Sequence, residues 1–395
     1  MDKKTEQINI NIFLALLRVG LWANTTVHES WLEVYGSEQV DWNRIYELAD
    51  EQSVIGLVTA GIDLYRLHNS STSKAGNPSA SFFVPEEVLF GMISDVQMIE
   101  QTNKDMNQFI ANLVGKMRES DIYTVLVKGQ GVAQCYERPL WRSCGDVDLF
   151  LSDDNYKRAK ELLVPIASDV EKEYVREKHL GMTIDGYVVE LHGTLRSGLS
   201  SRVEKGLDEI KKAVFYEGKV RSWANGNTQV FLINADEDAV YVFTHMLQHF
   251  FKKGLGLRQV CDWCRLLWSY RDSLNYGLLE SRIKRMGLLS EWKAFGALAV
   301  EYLGMPMESM PLYSSEAKWK KKADKICSFI LEVGNMGHNR DMSYFEKYPY
   351  LIRKICSMGR RCGDLIRHAR IFPMDSLRFF LRIIINGLKS AARGE

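Results

Sequence analysis

Apolar residues recur at intervals of three and four through "INIFLALLRVGLW" and "DWNRIYELADEQSVIGLVTAGIDLY", and this spacing predicts amphipathic helices over the N-terminal part of the chain. Asp41 stands where a helix N-cap is expected. Residues 68–81, "HNSSTSKAGNPSAS", are rich in Gly, Ser, Asn and Pro and read as a loop. A helix is expected from about Pro85 to Glu119.

The texture then changes. "YTVLV" (123–127), "DVDLFL" (146–151), "EKEYVRE" (171–177), "GMTID" (181–185) and "YVVELH" (187–192) are short and partly alternating, which predicts strands. "SDDNYKRAKELLVPI" between the second and third predicts a helix with an acidic start, and Asp185-Gly186 predicts a tight hairpin turn. From about Asp236 helical spacing returns and lasts nearly to the end. The fold class this implies is α+β: a small mixed sheet within residues 111–220, flanked by helical regions over 1–110 and 221–395.

Two carboxylates complicate the second strand. Side chains alternate across a strand, so Asp146, Asp148 and Phe150 share one face while Val147 and Leu149 take the other. Like charges that close together need a positive partner. Glu190 and His192 share a face of the last strand in the same way, and if that strand lies beside the first, three carboxylates converge as a trap for Mg²⁺ or Mn²⁺. A pair of capping aspartates on a surface loop is the plainer alternative, and the apolar residues around them argue against it. Upstream, "LVKGQGVAQCY" passes from an apolar strand through Lys128, Gly129, Gln130 and Gly131 into a possible helix start. Backbone amides at such a turn can hold phosphate oxygens, with Lys128 adding a cationic contact.

The stretch "KGQGVAQCYERPLWRSCGDVDLFL" resembles the signature of the uncharacterised nucleotidyltransferase family, within the DNA-polymerase-beta-like superfamily. The likeness extends to "DWNRIYELADEQSVIGLV", "VVELHG" and "HMLQHFFKKGLGLRQVCDWCRLL", so it covers about residues 40 to 270. It implies that Asp146, Asp148 and Glu190 are metal ligands in a reaction that consumes a nucleoside triphosphate. Lys128 and Gly129 would replace the Gly-Ser turn of better-known members, with Gln130 where the serine stands, and Arg142 would touch phosphate. His245, His249, Arg258 and Asp262 would line the second-substrate side of the cleft, and His192 joins Glu190 and Asp148 as a candidate general base. The expected activity is transfer of a nucleoside monophosphate to an unknown small-molecule or protein acceptor, with release of pyrophosphate. The alternative is a nucleotide- or metabolite-binding module without turnover.

Residue spacing alone keeps blander readings in view. His245 and His249 lie i, i+4 on one helical face, where structural histidines fit better than a metal pair; Arg258 and Asp262 have the spacing of an ion pair. "CDWC" has no second cysteine pair to complete a zinc site.

Composition narrows the remaining classes. The net charge is +1, and no basic groove with interleaved aromatics argues for nucleic acid. From Leu351 onward ten Lys or Arg face three acids, so the tail is basic and the rest acidic. That tail carries Phe, Leu and Ile at helical spacing; packing onto the protein's own core is favoured over contact with an anionic membrane surface. Seven scattered cysteines and a polar N-terminus, "MDKKTEQINI", lead us to expect a cytoplasmic protein.

Overall fold

The computed structural model describes residues 3–23, 40–72, 84–339 and 350–392. Helix α1 (Lys3–Trp22) buries Ile12, Phe13, Leu16 and Leu17, the residues of its predicted apolar stripe. Helices α2 (Trp42–Glu51) and α3 (Ile55–Thr72) are separated at Ser53, whose φ of 55° is left-handed. Asp41 caps α2 by accepting the Arg44 N–H. The loop expected over 68–81 starts later than its composition implies, because α3 continues to Thr72; residues 73–83 lie outside the described residues.

Helices α1 and α3 cross at very close range. A Cβ on Gly61 would collide with the Leu16 carbonyl, and one on Gly20 with the Leu57 carbonyl. Gly61→Ala therefore forces two backbones apart, and we expect a loss of about 1–3 kcal/mol in urea unfolding. An unchanged unfolding midpoint would show that this crossing has slack.

The long helix α4 (Glu86–Glu119) leads into the sheet. Its strands are β1 (Thr124–Val127), β2 (Asp146–Leu151), β3 (Asp169–Val170), β4 (His179–Ile184), β5 (Tyr187–His192), β6 (Val220–Asn225) and β7 (Thr228–Ile233). They lie in the order β3-β4-β5-β2-β1-β7-β6, with β2–β5 and β1–β7 parallel and the other pairs antiparallel. The turn between β4 and β5 falls at Asp185 and Gly186, both with positive φ.

Two features depart from the sequence expectation. "EKEYVRE" is not a strand: β3 ends at Val170, and Tyr174 makes only an isolated bridge to His179. Five of its seven residues are charged, so it has no apolar face to bury. The sheet also runs past residue 220, because the β6–β7 hairpin pairs with β1.

The two sheet faces do different work. Leu126, Val147, Leu149, Leu151, Val189 and Leu191 pack in one cluster under the second half of α4 and α6 (Asp153–Leu163). Ser152 caps α6 by accepting the Asn155 N–H. Val125, Val127 and Phe150 point the other way, into a larger core built with α7 (Ser201–Tyr216), α8 (Ala235–Lys252) and α9 (Leu257–Ser269). That second face is where the polar residues sit.

The same core takes in both ends of the chain. Helices α10 (Tyr276–Met286), α11 (Leu289–Glu301) and α12 (Ala317–Val333) follow α9, and Arg18 and Trp22 of α1 donate to the carbonyls of Glu301, Tyr302 and Leu303. Gln52 is fully buried, accepting from Leu257 N and donating to Ile330 O. The tail forms α13 (Tyr350–Ala369) and α14 (Pro373–Ala392). Phe372 and Phe379 are buried, while Met374, Leu377, Leu381 and Ile385 remain exposed. No helix among the described residues is long and apolar enough to cross a membrane.

Candidate functional site

Register builds the site. β2 and β5 run parallel with Asp148 opposite Glu190 and Phe150 opposite His192, so the polar faces of two strands merge. Ligand atoms of Asp146, Asp148 and Glu190 all lie within 4.8 Å of one another. β1 adds the third edge: Val127 pairs with Asp148, which delivers Lys128 to the same spot.

Lys128 occupies a strained backbone position, φ 58° and ψ −145°, of a kind that costs about 1–3 kcal/mol for a residue with a Cβ. Its Nζ sits 2.6 Å from Asp148 Oδ1, and His192 Nε2 lies 2.7 Å from the same oxygen. The buried Asp148 thus has two cationic partners supplied by the chain itself. Gly129, with φ +36°, packs so that a Cβ would come 3.3 Å from the Asp146 carbonyl. The helix after this turn, α5 (Gly129–Ala133), is too short for a strong dipole.

Electrostatics follow from this crowding. The Asp148 charge foremost, then burial, raises the Asp146 carboxyl above the usual range. Burial also works against Glu190, but the neighbouring imidazoles of His179 and His192 and the Lys128 charge hold its carboxyl well below that range. Burial pulls Lys128 down, yet Asp148 and its neighbours raise it above an ordinary lysine. His192 is likewise raised by Asp148 and Glu190 in spite of its burial. These are the signs of mutually paired charges in a dry pocket.

Helix α8 packs over the same face of the sheet. His249 Nε2 and His245 Nε2 lie 3.0 Å apart, and burial together with the Lys128 charge keeps both rings neutral. The His249 pKa falls to about 3. A neutral imidazole can accept a proton, and a histidine pair donating one ring N–H to the other cannot carry two charges cheaply.

Two expected phosphate contacts are placed differently. Arg142 is buried and clamps Asp262 through two hydrogen bonds, Nε to Oδ1 at 2.7 Å and Nη2 to Oδ2 at 2.6 Å. Tyr136 donates to the same Asp262 Oδ1 at 2.7 Å. The i, i+4 spacing of Arg258 and Asp262 therefore does not form a pair; Asp262 serves Arg142. Gln130 is buried with its amide on Asn103 Oδ1, outside the carboxylate cluster, because α4 packs over the turn. Arg258 donates to Ser143 O, its buried Nε has no partner among the described residues, and its charge acts on Asp146. Cys261 and Cys264 are buried free thiols, so the "CDWC" pair is part of the α9 core.

Further along the chain from β5 opens a cavity of about 540 Å³, which none of the cluster residues lines. Arg196, Lys252, Glu204 and Asp208 line it with Gln248, Arg196 being paired with Asp208, and Ile385 of α14 contributes a wall.

His179 is the residue the sequence pattern misses. It begins β4 directly opposite His192, and only the antiparallel register reveals that.

A family model described as "Uncharacterised nucleotidyltransferase" matches residues 38–304, more than half of the chain. No curated protein matches the chain, and no solved structure matches it.

Proposed function

As the chain belongs to the uncharacterised nucleotidyltransferase family, we propose that it transfers a nucleoside monophosphate from a nucleoside triphosphate to an acceptor hydroxyl. One observation carries this reading: Asp146, Asp148 and Glu190 converge within 4.8 Å at a bend whose Lys128 reaches the same carboxylates. An all-oxygen set of this kind suits Mg²⁺ or Mn²⁺. When bound, such an ion supplies positive charge to the phosphate oxygens and to the attacking oxygen.

The chain's own groups take the remaining roles. The acceptor oxygen forms a bond to the α-phosphorus as the bond to pyrophosphate breaks, and the hydroxyl proton passes to a nearby base. Lys128, held against Asp148, and Arg258, whose charge acts on Asp146, are cations available to the developing charge. The neutral His245–His249 pair stands on α8, over the same face of the sheet. We place the acceptor in the cavity that follows β5, whose mixed lining of Arg196, Lys252, Glu204 and Asp208 suits a polar molecule.

A second reading has its own support. Lys128 and His192 already neutralise Asp148 without any ion, as a pure binding module would require. The two separate in a pyrophosphate-release assay with each nucleoside triphosphate, Mn²⁺ or Mg²⁺, and a panel of hydroxyl acceptors. We expect release that stops with EDTA and returns when Mn²⁺ is restored in excess. Metal-dependent nucleotide binding with no release across the panel would establish the binding module instead.

A further inference from the structure

Glu190 belongs to two ligand groups at once. It closes the three-carboxylate cluster with Asp146 and Asp148, and it also meets His179 and His192, whose ligand atoms lie within 4.8 Å of it and of each other. The two imidazoles converge on a single atom: His179 Nε2 is 3.2 Å and His192 Nε2 is 3.3 Å from Glu190 Oε2. His179 Nε2 is buried, yet it lies off the line a hydrogen bond to that oxygen requires. A buried ring nitrogen without a bond is costly unless something else is meant to meet it.

The backbone explains why these rings are so placed. His179 and His192 are partners across the antiparallel β4–β5 ladder, with Glu190 two residues before His192 on the same face. Their rings stack at 4.8 Å with 10° between planes, and Tyr174 stacks on the outer side of His179 at 5.9 Å. The stack aligns the rings before any ligand arrives, which reduces the ordering cost of binding.

The chemistry of the two groups differs. Three carboxylate oxygens suit a hard cation, whereas two imidazoles and one carboxylate suit a borderline one, and three protein ligands leave a coordination position open. We propose that His179, Glu190 and His192 form a second metal site, selective for a transition-metal dication of the Zn²⁺ class and distinct from the all-carboxylate site beside it. Glu190 links the two. This site rests on the geometry of β4 and β5 alone, so it stands even if the chain turns over no nucleotide.

The test uses the full chain, stripped of metal and then held in excess Mg²⁺ to fill the carboxylate cluster. Zn²⁺ is titrated against a chelating dye, and Co²⁺ is added separately to read its visible absorption. We expect about one equivalent of Zn²⁺ bound per chain, and Co²⁺ bands that report nitrogen ligation. His179→Ala should weaken Zn²⁺ binding at least tenfold, with His192→Ala doing the same; Asp146→Asn should retain it. His179 is partly exposed on an outer strand, and circular dichroism checks that each variant is folded. Three results would overturn the proposal: no Zn²⁺ taken up in the presence of Mg²⁺, uptake indifferent to His179→Ala, or uptake lost equally in Asp146→Asn. The last would mean a single site centred on the carboxylates.

Discussion

Asp146→Asn should abolish metal-dependent pyrophosphate release while leaving the protein folded. Asp146 is one of three carboxylates that converge in the proposed metal site, but unlike Asp148 it does not pair closely with Lys128 or His192. In the metal-free protein its charge is a cost, since Asp148 and burial both raise its carboxyl. Asparagine removes that cost together with the ligand. We therefore expect a fall in turnover of about 10³-fold or more, equivalent to about 4 kcal/mol of transition-state stabilisation. Thermal melting without metal should be no lower than in the parent. This divergence matters, because a variant that merely misfolds would lose both. Turnover that survives Asp146→Asn would remove the carboxylate cluster from the reaction.

Asp262→Ala should show the opposite signature. Asp262 lies in α9, buried, and holds the Arg142 guanidinium through two charged hydrogen bonds while accepting a third from Tyr136. Removing it leaves a cation buried without a counter-charge, which costs about 3–5 kcal/mol. Equilibrium denaturation should register that loss directly. A triple variant, Arg142→Met with Asp262→Leu and Tyr136→Phe, should recover most of it, because an apolar set of similar volume avoids the desolvation penalty and orphans no hydroxyl. If Asp262→Ala unfolds at the same denaturant concentration as the parent, the clamp is idle. The clamp ties the segment just ahead of β2 to the helical part, so its energy also fixes where Asp146 emerges.

Local patterns revealed some of this molecule well and some of it not at all. β2 and β5 have the limits that their alternation implies, and Asp185-Gly186 makes the turn its composition calls for. On β5 a single face is buried, so a slip of one residue would expose it, and on β2 the same slip would turn both aspartates into the apolar cluster opposite. The β6–β7 hairpin carries a local sign of its own, the Gly226-Asn227 turn in "SWANGNTQVF", yet its strands were not expected. Pairings across long chain separations are a different matter. Arg142 meets Asp262, and Lys128 meets Asp148, only because the sheet and α9 close around them. Nothing in one sequence distinguishes an arginine that touches phosphate from one spent on an aspartate 120 residues away. His179 was hidden for a related reason: strand register, not spacing, sets it across from His192.

The ammonium and imidazole resting on Asp148 have a consequence for how this protein handles its surroundings. It carries its own counter-ions, so a dication binding there would replace charges already in place, and its net gain would be the difference between two attractions. Loading would become an exchange reaction. Under the proposed function, occupancy would then track how plentiful the ion is, and protein starved of it would idle intact.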